Sequence, residues 1–148
     1  MTLRGRARTV TIALFALYLV GLVRVTLWPR LADDGGFDLV RTVLSWLNSL
    51  GIGLTYSATE FLANIALFVP FGILVSLLFP RRRAWTVVAL GLATSAVIEL
   101  AQLLFLPHRV SDVRDLVSNT LGTAIGVGIV LVARRRSRTP VPEPVSAG

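Results

Sequence analysis

Four long apolar segments alternate with short polar stretches along the chain. They cover about residues 9–28, 59–79, 85–106 and 113–133, and a proline directly follows each of the first three. Each segment holds about 20 residues, enough at about 1.5 Å per residue to cross a hydrocarbon core of about 30 Å. Because a backbone in lipid must satisfy its hydrogen bonds within its own segment, the pattern predicts four membrane-spanning helices.

The segment 37–50, between the first two spans, has a different pattern. Drawn as a helix, it carries polar residues on one side and apolar residues on another. This predicts a short amphipathic helix, either lying on the outer membrane surface or packed on the bundle. The predicted fold is therefore all-α: an integral membrane four-helix bundle over residues 1–138, with the amphipathic helix between spans 1 and 2. The Pro-rich tail 139–148 is predicted to be disordered.

Composition supports the membrane class and narrows the chemistry. Hydrophobic residues make up 54% of the 148 residues and charged residues 16%, with a mean hydropathy of +0.74; soluble domains carry about 25% charged residues. Without cysteine, the chain has no disulfide, thiolate metal site or cysteine nucleophile. The net charge is +7, but the arginines form short clusters beside apolar segments, which indicates membrane topology rather than nucleic-acid binding.

The arginine clusters predict the orientation in the membrane. They precede the first span, fill the link between the second and third at 81–83, and follow the fourth from 134. Basic loops stay on the cytoplasmic side, so both termini are predicted to be cytoplasmic. All 15 basic residues are arginine, a composition typical of GC-rich bacterial genomes. The predicted location is therefore the bacterial cytoplasmic (inner) membrane.

Each predicted span carries a polar residue at a similar depth, about 22–26 Å from the nearest arginine cluster along the helix. An ionised side chain facing lipid costs about 2.5–3.5 kcal/mol, so these residues favour a shared polar cavity. Helical spacing brings further polar residues onto the same faces. The predicted binding cleft opens toward the outside and is lined by Arg24, Asn64, Glu99, Gln102, Arg109, Asp112, Asp115 and Asn119.

Other features of the spans have a structural interpretation. The cleft residues have an alternative interpretation, in which their hydrogen bonds and ion pairs between helices only hold the bundle together. Gly122 and Gly126 form a G-xxx-G pair, which allows close approach of two backbones. Pro70 and Gly72 predict a kink in the second span.

Four ordered stretches resemble the VanZ-like family, small bacterial membrane proteins named for a member associated with resistance to the glycopeptide teicoplanin. They are "TLWP" (26–29), "NIALFVPFG" (64–72), "IELAQ" (98–102) and "RVSDVRDLVSNTLG" (109–122). The last one, R-x-x-D-x-x-D-x-x-x-N-T-x-G, is the most specific, and the resemblance covers about residues 10–133. It implies a multi-pass helical membrane protein with a role in glycopeptide tolerance at the cell envelope, but no mechanism.

The preferred functional hypothesis is binding without turnover. Glycopeptides act outside the cell on cell-wall precursors, so an outward cleft is suited to the head group of a membrane lipid or a lipid-linked cell-wall precursor. Arg24 and Arg109 are expected to contact phosphate, and the amides and carboxylates to contact sugar or peptide. No cofactor, resident metal or nucleic-acid partner is expected.

The main alternative is an intramembrane enzyme that acts on a lipid head group. Glu99 and Asp115 are then the general acid and base, because burial and neighbouring arginines separate the pKa values of paired carboxylates. Alternatively, Asp112, Asp115 and Glu99 hold a divalent cation. A transporter is disfavoured because the inner half of each span is apolar, and a scaffold for other envelope proteins stays open.

Overall fold

The fold consists of long helices that run antiparallel to their neighbours along the chain. A computed structural model describes residues 3–27, 49, 55–105 and 113–137. Its helices are α1 (Leu3–Leu27), α2 (Tyr56–Leu78), α3 (Ala84–Phe105) and α4 (Val113–Arg136). All four are long and apolar enough to cross a membrane. The prediction of an all-α four-helix membrane bundle is confirmed.

Two helices extend further than their apolar segments. α1 begins at Leu3 and α4 ends at Arg136, so both include arginines that lie beyond the apolar stretch. Hydropathy marks where the chain enters lipid, whereas a helix continues until its backbone hydrogen bonds end. The predicted amphipathic helix at 37–50, except for Ser49, and the predicted tail at 139–148 lie outside the described residues.

Local signals explain the ends and the middle of α2. Thr55 is the N-cap, and its hydroxyl accepts a hydrogen bond from the Ala58 backbone N–H at 3.2 Å. The helix is continuous through Pro70, whose ring nitrogen has no hydrogen to donate to the carbonyl four residues earlier. One residue after that carbonyl, the Tyr18 hydroxyl donates to the Leu67 carbonyl at 3.0 Å. A side chain of α1 thus contacts the α2 backbone next to the carbonyl that proline leaves without its helical donor.

The most extensive helix contact joins α2 and α4, which are not neighbours in the chain and run parallel. Glycines allow this contact. A Cβ on Gly122 would meet the Ile65 carbonyl oxygen, and one on Gly126 would meet the Val69 carbonyl oxygen. A Cβ on Gly72 would meet the Thr123 carbonyl oxygen. The close approach predicted from the G-xxx-G pair is confirmed, with α2 as its partner.

A small apolar core fills the centre of the bundle, and most large apolar side chains face outward. Phe68, Phe71, Leu22 and Val127 belong to the buried core cluster. By contrast, most large apolar residues of α1 are exposed, among them Leu17 and Val20. Outward-facing apolar surface is expected of a protein whose surroundings are lipid.

Candidate polar site at one end of the bundle

The two ends of the bundle differ in chemistry. One end, called here the polar end, is formed by the C-terminal turns of α1 and α3 and the N-terminal turns of α2 and α4; it carries Asn64, Glu99, Gln102, Asp115 and Asn119. The other, the arginine end, carries residues 81–83 and 134–136. Because the helices alternate in direction, polar residues distant in sequence meet at the same end.

A charge-assisted hydrogen bond links α2 to α4 at the polar end. The Asn64 side-chain amide donates to the Asp115 carboxylate, with 2.7 Å between Nδ2 and Oδ1. Asp115 lies in the first turn of α4, where the helix dipole favours a negative charge. The Ser118 hydroxyl donates to the Asp115 backbone carbonyl at 3.1 Å. The carboxylate is therefore held by α2 and favoured by the dipole of its own helix.

A second hydrogen bond links α4 to α3 deeper in the bundle. The Asn119 side-chain amide donates to the Ser95 hydroxyl, with 2.8 Å between Nδ2 and Oγ. Asn119 is only 6% exposed and Ser95 is fully buried. The other polar atom of this amide, Asn119 Oδ1, is buried with no hydrogen-bond partner among the residues that the structure describes. A buried acceptor without a donor costs about 1–3 kcal/mol.

Gln102 links α3 to the end of α1. Its side-chain amide donates to the Thr26 backbone carbonyl, with 2.9 Å between Nε2 and O. α1 ends at Leu27, so this carbonyl belongs to the last turn, whose carbonyls have no partner within the helix. One turn earlier on the same face of α3 lies Glu99, whose side chain is 7% exposed. The site thus includes a carboxylate that is almost completely buried.

The structure brings most of the predicted cleft residues to the same end. Asn64 pairs with Asp115, and Glu99, Gln102 and Asn119 are buried. Arg24 lies one turn before the end of α1 with an exposed side chain. Arg109 and Asp112 lie outside the described residues. Within the described ranges, no group of three His, Asp or Glu residues is placed to hold a metal ion.

Three fully buried hydroxyl residues were not among the predicted site residues: Ser95, Ser118 and Thr123. A signal for Ser95 is present in the sequence, because it lies four residues before Glu99 and seven before Gln102, on the same helix face. Thr123 lies one turn after Asn119 and donates to the Asn119 carbonyl at 3.0 Å. Small polar residues change the hydropathy of an apolar segment so little that the sequence pattern does not single them out.

The fold and the site together define a multi-pass helical membrane protein whose polar residues gather at one end. The family model described as VanZ/LLP1 matches residues 15–134. The chain belongs to the VanZ-like family, as its motifs indicated. It is 31% identical over 121 residues to Protein VanZ of Enterococcus faecium, an alignment that covers 77% of this chain and 69% of that protein. No solved structure matches the chain significantly.

Proposed function

We propose that this VanZ-like membrane protein binds the head group of a lipid or a lipid-linked cell-wall precursor at its polar end. In this proposal the polar end faces outward from the bacterial cytoplasmic membrane, and both termini are cytoplasmic. The basic residues at the arginine end support that orientation. The similarity to Protein VanZ supports a role in tolerance to teicoplanin-type glycopeptides.

The observation that carries the proposal is the buried Oδ1 atom of Asn119, which has no hydrogen-bond partner in the part of the chain that the structure describes. Hydrogen bonds that served only to join helices would leave no such acceptor, because an unpaired buried polar atom opposes folding. Asn119 lies on the buried face of α4, as Glu99 does on that of α3. A head group rich in hydroxyl and amide N–H donors supplies a donor for this amide oxygen.

Lipid extraction and mass spectrometry of the purified protein test this proposal. A specific lipid is expected to copurify with the wild type and to be lost from Glu99→Gln and Asp115→Asn. The matched control is Glu60→Gln, because Glu60 is an exposed carboxylate on α2 at the same polar end of the bundle. The same bulk lipid content in all four proteins would show that the polar residues only join helices.

The same experiment separates binding from catalysis. The specific observation that favours an enzyme is the different environment of the two carboxylates, because Glu99 is buried whereas Asp115 is half-buried. If the wild type converts an added lipid-linked precursor and both carboxylate variants leave it intact, the protein is an intramembrane enzyme. Recovery of the unchanged precursor from the wild type supports binding.

A further inference from the structure

We propose that the arginine end holds a second binding site, for one anionic phospholipid of the adjacent leaflet. This site is separate from the polar end and does not depend on the function proposed for it. It consists of a small cavity that would receive one phosphate oxygen and an adjoining apolar groove that would receive an acyl chain.

Arg134 is positioned for this role by the end of α2. Its guanidinium donates to the Ser76 carbonyl, with 2.7 Å between Nη2 and O, and to the Pro80 carbonyl at 3.4 Å. The residue four positions after Ser76 is Pro80, which has no N–H to donate to that carbonyl. Arg134 supplies the missing donor. A guanidinium carries five N–H donors, so these bonds leave others for a ligand.

A small cavity lies beside this guanidinium. Its volume is about 20 Å³, and its lining combines the polar residues Ser76, Arg82 and Arg134 with six apolar residues, Ala84 among them. This space suits one water molecule or a single phosphate oxygen rather than a whole head group. Ala84 begins α3, so the positive end of that helix dipole adds to the charge of the two arginines. The cavity is therefore suited to an anionic oxygen.

Ser76 provides an independent indication of a ligand. It is only 6% exposed, and its hydroxyl oxygen is buried with no hydrogen-bond partner among the described residues. Other hydroxyls in the spans, such as those of Thr94 and Thr120, donate to the carbonyl four residues earlier in their own helix. The Ser76 hydroxyl makes no such bond within the described part of α2 and lines the cavity instead. It is available to donate to a phosphate oxygen.

An apolar groove adjoins the cavity on the outer surface of α2 and α4. Its volume is about 480 Å³, and it is lined by Ile73, Leu77, Ile129, Val130, Ala133, Arg134 and Ser137. Val130 and Arg134 line both spaces. A groove that ends at a cation and a buried hydroxyl matches an acyl chain joined to a phosphate. Charge complementarity thus indicates an anionic phospholipid rather than a protein segment.

Native mass spectrometry of the full chain in detergent micelles tests the site, using phosphatidylglycerol and phosphatidylcholine with identical acyl chains. The wild type is expected to bind one phosphatidylglycerol more tightly than phosphatidylcholine. Arg134→Gln is expected to weaken phosphatidylglycerol binding about tenfold, the usual size for one charge-assisted contact. The matched control is Arg135→Gln, which removes the same charge from an exposed residue outside both cavity linings. Equal weakening by both variants would overturn the proposal in favour of diffuse attraction.

Two further variants keep the test decisive if Arg134→Gln unfolds the protein. Ser76→Ala is expected to weaken phosphatidylglycerol binding about fivefold, as for one neutral hydrogen bond. Ile129→Trp fills the groove and is expected to weaken binding of both lipids, whereas Ile125→Trp, one turn earlier and outside the groove lining, does not. Unchanged binding in both Ser76→Ala and Ile129→Trp would overturn the proposal.

Competition with soluble phosphate distinguishes a lipid site from a site for free anions. Millimolar inorganic phosphate is expected to leave the bound phosphatidylglycerol in place, because the groove contributes the larger part of the contact. Displacement of the lipid by phosphate would overturn the assignment of an acyl chain to the groove. Glu99→Gln, at the opposite end, is expected to retain phosphatidylglycerol, so failure of either proposed site leaves the other testable.

Discussion

The amides of Asn64, Gln102 and Asn119 each donate a hydrogen bond to a different helix. Asn64 reaches α4, Gln102 reaches α1, and Asn119 reaches α3. In lipid there is no water to satisfy such groups if the helices separate, yet measured hydrogen bonds between membrane helices average only about 0.6 kcal/mol. These bonds therefore fix how the helices are rotated more than they stabilise the bundle.

The contribution of the Asn64–Asp115 hydrogen bond is measurable by a double-mutant cycle. We expect Asn64→Ala and Asp115→Ala to show a coupling free energy of about 1 kcal/mol, toward the upper part of the range for membrane helices because the acceptor is charged. Reversible unfolding in mixed detergent micelles provides the measurement. The control cycle combines Asn64→Ala with Thr94→Val, whose hydroxyl bonds only within α3 among the described contacts, and should be additive. Equal coupling in both cycles would contradict the assigned contact.

For single residues, the sequence indicates which ones are polar but not what each one contacts. Glu99, Gln102 and Asn119 stood out because they interrupt apolar spans. Arg134 was interpreted only as part of a basic cluster that sets topology, whereas its guanidinium caps the end of α2. That contact depends on Pro80 and on the rotation of α4 against α2. Neither hydropathy nor helical spacing within one segment contains this information.

Among the helices, α4 depends most on small residues for its position. Gly122 and Gly126 lie against carbonyl oxygens of α2, whereas a Cβ on Gly128 would meet nothing within 4 Å. The apolar segments were sufficient to predict the spans, because length and hydropathy describe each helix alone. The G-xxx-G pair predicted a close contact without naming the partner. That partner is α2, not the neighbouring α3, since Gly72 faces Gly126 across the contact.

Gly126 and Gly128 of α4 offer a matched test of this packing. We expect Gly126→Ala to destabilise the bundle by about 1–3 kcal/mol, because its methyl group would force the backbones of α2 and α4 apart. Gly128→Ala should change stability by less than about 0.5 kcal/mol, since its new methyl group meets open space. Thermal unfolding of the three proteins in one detergent compares them directly. Similar losses for both variants would show that contact with α2 does not determine the effect.

Across the whole molecule, several polar residues are buried and many large apolar residues are exposed, which is the opposite of the arrangement in a soluble helical bundle. Buried positions of α3 and α4 include Ser95, Glu99, Gln102 and Asn119, whereas large apolar residues such as Leu103 and Ile129 are exposed. Lipid covers the apolar surface, and the polar groups lie in the interior. Such a bundle places its polar groups at the polar end and its basic residues at the arginine end, so its orientation decides which side of the membrane each proposed site serves.

Labelling of cysteines introduced one at a time can determine this orientation, because the chain contains no cysteine of its own. We expect Glu60→Cys, at the exposed start of α2, to react with a membrane-impermeant maleimide in intact cells whose outer envelope has been made permeable. Ser137→Cys, exposed just after α4, should react only after the cytoplasmic membrane is disrupted, because arginine-rich flanks stay cytoplasmic. A denatured sample provides the control for the reactivity of each thiol. Labelling of Ser137→Cys alone in intact cells would place the polar end on the cytoplasmic side, where extracellular glycopeptide targets cannot reach it.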